Sequence, residues 1–111
     1  MNVTISTIDE FDRCVHRLAK KYKSLKNDLV TFQQELMKDP FIGSDLGGGV
    51  RKIRMAISAK GKGKSGGARV LTLNVLVSGD VDVTLLTIYD KDEISNVSDE
   101  YIKWLVREAK Q

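Results

Sequence analysis

The chain reads as an α+β fold with the element order β-α-α-β-β-β-α. Three observations predict it. Two apolar stripes at helical spacing fill residues 8–36, strand-like runs fill residues 50–89, and a capped apolar stripe closes the chain from Ser98. Successive strands with short links pair antiparallel, so the middle region should be a meander with two helices ahead of it and one behind. With 111 residues the expectation is one domain, 1–111.

Val3–Ser6 is short and β-prone. Thr7 and Glu10 have capping-box spacing, and Ile8, Phe11, Val15, Leu18 and Tyr22 follow as one stripe. A second helix should start near Ser24, bury Leu25, Leu29, Phe32 and Leu36, and stop before Asp39-Pro40, because a residue preceding proline disfavours α geometry. The two stripes can cover one face of a sheet. Phe41–Gly49 reads as a loop ending in three glycines. In Val50–Ile57 the apolar Ile53, Met55 and Ile57 alternate with Lys52 and Arg54. Ala59–Ala68 is a Gly/Lys loop, and Arg69–Val77 and Val81–Tyr89 are strands joined by a three-residue turn at Ser78-Gly79-Asp80. Ser98 should cap the last helix, whose buried face is Tyr101, Ile102, Leu105, Val106 and Ala109.

Charge is placed unevenly. All 15 acidic residues lie outside Gly47–Val77, whereas Arg51, Lys52, Arg54, Lys60, Lys62, Lys64 and Arg69 lie inside it. A one-signed block of this kind is an electrostatic footprint for a polyanion such as nucleic acid. Cys14 is the only cysteine, so no internal disulfide can form, which fits a reducing compartment. It should be an ordinary packed thiol, and His16, off the apolar stripe, a surface residue. Met1–Ile5 has neither a basic leader pattern nor a long apolar run, and a soluble cytoplasmic protein is expected.

The loop Lys60-Gly61-Lys62-Gly63-Lys64-Ser65-Gly66-Gly67 contains two decoys. Gly61, Gly63 and Gly66 spell a dinucleotide fingerprint, but that motif needs a helix after it and a strand follows here. Gly63-Lys64-Ser65 matches the end of a phosphate-binding P-loop, yet Ser58 stands where its first glycine belongs. No cofactor and no metal site is expected. What remains is a flexible basic hairpin loop able to approach a phosphate backbone.

With its flanks this stretch becomes specific. Gly49-Val50-Arg51-Lys52-Ile53-Arg54, Lys60 through Arg69-Val70, and Leu85-Leu86-Thr87-Ile88-Tyr89-Asp90-Lys91-Asp92-Glu93 together resemble the HigB-like branch of the RelE toxin family. The resemblance implies a small twisted antiparallel sheet backed by two N-terminal helices, with a helix at the C-terminus. It implies cleavage of mRNA in the ribosomal A site. It also implies an antitoxin partner, expected to bind DNA through a helix-turn-helix, that masks the toxin.

Metal-free RNA cleavage requires removal of the 2′-OH proton, stabilisation of added negative charge on phosphorus, and protonation of the leaving oxygen. The sole His16 is far from the basic block, so a histidine pair is not expected. Clustered lysines lower each other's pKa and can supply a base. By resemblance Arg69 contacts the scissile phosphate, Lys62 and Lys64 belong to the lysine loop that includes the base, and Tyr89 stacks on or orients a nucleotide. Lys52, Arg54, Lys60 and Lys91 are expected RNA contacts, Lys60 being also one of the loop lysines among which the base is sought, and Lys91 and Arg54 candidates for the acid. One departure stands out: relatives often carry a catalytic arginine before the tyrosine, and Val81–Leu85 holds no basic residue. Two rival functions share these features, a ParE-like gyrase poison and a basic nucleic-acid-binding module without catalysis.

Overall fold

The computed structural model describes all 111 residues. Its elements are β1 (Val3–Thr7), α1 (Asp9–Lys21), α2 (Leu25–Lys38), β2 (Ser44–Gly47), β3 (Val50–Met55), β4 (Ala68–Val77), β5 (Asp80–Asp90) and α3 (Asp99–Ala109), with one 3₁₀ turn at Ser58–Lys60. The α+β class and the order of the main elements agree with the sequence reading.

The five strands form one sheet in the order β1-β5-β4-β3-β2. Neighbours are antiparallel except β1 and β5, which run parallel, with Val3 opposite Val81 and Thr7 opposite Leu85. No hairpin dictates the direction of β1, because two helices separate it from the meander. It closes the open edge of β5, and the Val81 and Ile8 amides donate to Asn2 O and Leu85 O. The sheet is therefore mixed. A second difference is β2, which lies inside the expected loop 41–49 and pairs with β3 through Ser44↔Lys52 and Asp45↔Arg51. All four of its residues are exposed, so it carries no alternation for sequence reasoning to detect.

Each face of the sheet is covered. Phe11, Cys14 and Leu18 of α1 and Leu25, Phe32 and Leu36 of α2 pack against Ile53, Met55, Val70, Val81, Val83, Leu85 and Ile88. On the other face Leu105 of α3 packs against Val50, Leu71, Leu73, Leu86 and Tyr89. Cys14 is a packed thiol at 6% exposure, and His16 is on the surface.

A bulge in β5 sets what each face receives. Leu71 pairs with Thr87 and Thr72 with Leu85, so Leu86 is the extra residue. Two consecutive residues of a bulged strand oppose one residue of its partner, which resets the alternation beyond that point. Before the bulge, the odd residues Val81, Val83 and Leu85 face α1 and α2. After it, Ile88 faces them and Tyr89 joins the α3 side.

The expected cap forms at Ser98 and not at Thr7. Ser98 caps α3, its hydroxyl accepting from the Tyr101 amide at 3.1 Å. Ser98→Ala is expected to cost about 1 kcal/mol, seen as a lower denaturation midpoint with an unchanged slope. The Thr7–Glu10 capping box does not form. Thr7 ends β1, Ile8 precedes α1 without a side-chain cap, and Glu10 instead binds Arg13 (2.8 Å) and the Tyr101 hydroxyl (2.7 Å). The β4–β5 turn has two residues, not three. Ser78 and Gly79 take φ of 52° and 84°, the left-handed pair that matches strand twist in tight hairpins.

Candidate active site and nucleic-acid interface

Register brings three predicted residues into one row. Arg54 of β3 lies opposite Arg69 of β4, and Arg69 lies opposite Tyr89 of β5. Directly opposed residues project from the same face at close range, so these side chains are neighbours. The β5 bulge makes this row possible. Without it Tyr89 would face α1 and α2 with the other odd residues of β5. Lys52, two residues before Arg54, shares its face, and Lys52, Arg54, Lys64 and Glu35 line a cleft of about 270 Å³.

Arg69 is 8% exposed. Its terminal nitrogens donate to the carbonyls of Ser65 (3.0 Å), Ala68 (3.2 Å) and Lys64 (3.3 Å). The guanidinium thus ties the Gly/Lys loop to the sheet as well as placing a charge beneath it. Tyr89 is 3% exposed, and its buried hydroxyl has no hydrogen-bond partner. Burial pushes the phenol pKa up, opposed by the nearby Arg69 charge. The phenol therefore keeps its proton at neutral pH and cannot serve as a base. Stacking of its ring on an RNA base, as the sequence suggested, is not open to a residue this enclosed.

The loop lysines do not form the mutually repelling cluster that sequence reasoning expected. Acids from distant segments meet them. Lys60, with a side chain only 6% exposed, binds Asp90 and Asp92, each at 2.7 Å. Lys62 lies 3.4 Å from Asp92, and Lys64 lies 2.7 Å from Glu35 of α2. Burial acts to lower the Lys60 pKa, but its bonds to Asp90 and Asp92 outweigh this and raise it. Lys60 is therefore a fixed cation inside an ion network, not the lowered-pKa base that clustering would make, and it has little surface to offer RNA.

Asp90 organises that network. Its carboxylate is fully enclosed, accepts from Lys60, the Tyr22 hydroxyl and the Asp92 amide, and lies 3.7 Å from Lys21 Nζ. Burial would raise its pKa, yet these donors hold it at about 2. Sequence reasoning missed Asp90, although a signal existed. It follows Tyr89 at the end of a β-run, where a charged inward residue implies a buried partner. Glu35 and Tyr22 had no local signal, since each reaches the loop only through tertiary packing.

Gly67 fixes how the loop rejoins the sheet. A Cβ there would lie 2.2 Å from Met55 O and 2.9 Å from Ile57 N, both backbone atoms. Its carbonyl accepts from the Lys91 amide. Gly67→Ala is expected to destabilise the fold by at least ~2 kcal/mol, measurable by urea denaturation, because the backbone must move to admit the methyl. Lys91 itself is exposed beside the end of β5, and Arg54 and Lys62 are also exposed. Those three, with Lys52 and Lys64, are the cations that a ligand on this side can meet.

Neither the acids nor the histidine make a metal-binding group of three, and no helix is long and apolar enough to cross a membrane. The family model described as the RelE toxin of the RelE/RelB toxin–antitoxin system matches residues 11–111. That span contains the Arg54–Arg69–Tyr89 row, the Gly/Lys loop and its acid network. The chain accordingly belongs to the RelE toxin family, whose members pair with an antitoxin.

Proposed function

We propose that the protein is a HigB-like, ribosome-dependent mRNA endoribonuclease that acts in the cytoplasm, needs no metal, and is silenced by a helix-turn-helix antitoxin. The observation that carries this reading is the juxtaposition of Arg54, Arg69 and Tyr89 beneath a lysine loop. Attack of a 2′-OH on the adjacent phosphorus concentrates negative charge there. The exposed Arg54 can meet that charge directly and the enclosed Arg69 adds its positive field from beneath the loop, and preorganised charge of this kind is usually the largest catalytic contribution. Arg54 takes the place of the arginine missing from Val81–Leu85. Lys62 and Lys64, far more exposed than Lys60, carry proton transfer at the 2′-OH and the 5′ leaving oxygen. Lys52 and Lys91 hold flanking phosphates. Tyr89 supports Arg69 from below, and Lys60 anchors the loop. The ribosome supplies alignment of the substrate, since acid–base help alone gives about 10²–10⁴-fold.

The test is controlled expression in cells, with growth followed and transcript 5′ ends mapped. Growth arrest with new ends inside translated codons supports the reading. Arrest with intact mRNA shifts the target to gyrase or elsewhere, and absence of arrest favours a binding module without catalysis.

A further inference from the structure

We propose that the α1–α2 corner is a second docking site for RNA, one that grips the sugar–phosphate backbone away from the cleavage face. His16 and Lys20 share one side of α1 at four-residue spacing, and Lys23 in the turn after it joins them. Lys26, in the first turn of α2, closes the other wall. These four residues and Ala19 line an open cleft of about 370 Å³. No acid lines it. Asp12, one turn before His16, is exposed but outside the lining, and the Asp28 carboxylate is turned inward onto Ser24 and Ser58.

The contrast with the Gly/Lys loop carries the argument. There every lysine meets an acid, whereas Lys20, Lys23 and Lys26 take part in no ion pair. The three loop lysines are compensated by acids, whereas the three lysines of this cleft, like Lys52, Arg54 and Lys91, are not. A ligand with several negative groups fits such a cleft. An RNA backbone fits better than an acidic protein, because protein interfaces centre on apolar anchors and this lining offers only Ala19. The exposed apolar residues Val75, Leu76 and Val77 lie at the far hairpin. Lys21, the chain neighbour of Lys20, is not part of the cleft and lies 3.7 Å from the Asp90 carboxylate that holds Lys60. The identity of the polyanion rests on the RNA-directed function proposed above; the cleft does not.

Binding of a fluorescein-labelled single-stranded RNA to the full chain should be followed by anisotropy across a series of KCl concentrations. Three proteins are compared: wild type, Lys20→Gln/Lys23→Gln/Lys26→Gln, and a control of equal charge change, Lys38→Gln/Lys103→Gln/Lys110→Gln. The corner variant is expected to bind roughly tenfold or more weakly near 0.1 M salt, with a log–log salt slope shallower by about 2, since each lost phosphate contact removes ~0.7. The control should match wild type. Equal losses in both variants, or no loss in the corner variant, would overturn the site. Displacement of RNA by polyglutamate at equal charge would overturn RNA in favour of an acidic protein. RNA that binds through the corner but is never cut, even on ribosomes, would sink the nuclease and leave the docking site standing.

Discussion

Arg69→Ala is expected to abolish toxicity in cells, with cleavage reduced by at least ~10²–10³-fold, the usual cost of removing one preorganised electrostatic group from a transition state. Two effects combine. The charge beside the reacting phosphate disappears, and the loop loses its three bonds from the guanidinium to the Lys64, Ser65 and Ala68 carbonyls. Arg69→Lys separates them poorly by charge but well by geometry, because an ammonium cannot span three carbonyls in a fixed fork. It too should lose most activity. Primer extension on an abundant transcript gives the readout. Full activity in the lysine variant would show that charge alone suffices and that the carbonyl clamp is incidental.

The second large effect is expected at Asp90. Asp90→Asn leaves the Lys60 ammonium enclosed with only Asp92 to balance it, and breaking one side of a buried pair costs about 3–5 kcal/mol. Urea denaturation should show that loss, and activity should fall with it as the loop loosens. The carboxylate also gives stability a pH signature. Its pKa is depressed to about 2 in the folded protein, below the ordinary 3.8. The stabilisation is therefore fully present above pH ~4 and is lost as pH falls through about 2, amounting to roughly 2 kcal/mol. The Asn variant should lack this acid-limb contribution. An identical acid slope in wild type and variant would show that Asp90 does not bear the network.

The fold was largely legible because its main elements each carry a strong local pattern. The α1 and α2 stripes, the alternation Ile53–Met55 against Lys52–Arg54, and the Ser98 cap are all written in short stretches. Elements without a pattern were not legible. Strand β2 is exposed throughout, and the parallel pairing of β1 depends on which sheet edge remains free. Thr7 has the right spacing for a capping box but is drawn into β1, which shows tertiary pairing overriding a local signal.

The site was legible as composition and illegible as arrangement. Arg54, Arg69 and Tyr89 could be named from sequence, yet their meeting depends on a bulge at Leu86 that no local motif marks. The lysine loop is acid-free only along the chain. In space Asp90, Asp92 and Glu35 reach it, and that turns Lys60 from an RNA contact into an internal anchor. The charge at Lys20, Lys23 and Lys26 carries no signal along the chain because acids such as Asp12 and Asp28 lie close in sequence. Only packing shows that they line no part of the cleft.

The most direct test of the central claim is cleavage of a defined mRNA on purified ribosomes with a chosen codon in the A site. Wild-type protein is predicted to cut within that codon and to leave a 5′-hydroxyl downstream and a cyclic or 3′-phosphate upstream, while Arg69→Ala leaves the message intact. An uncut message with wild-type protein, or fragments bearing 5′-phosphate, would contradict the account.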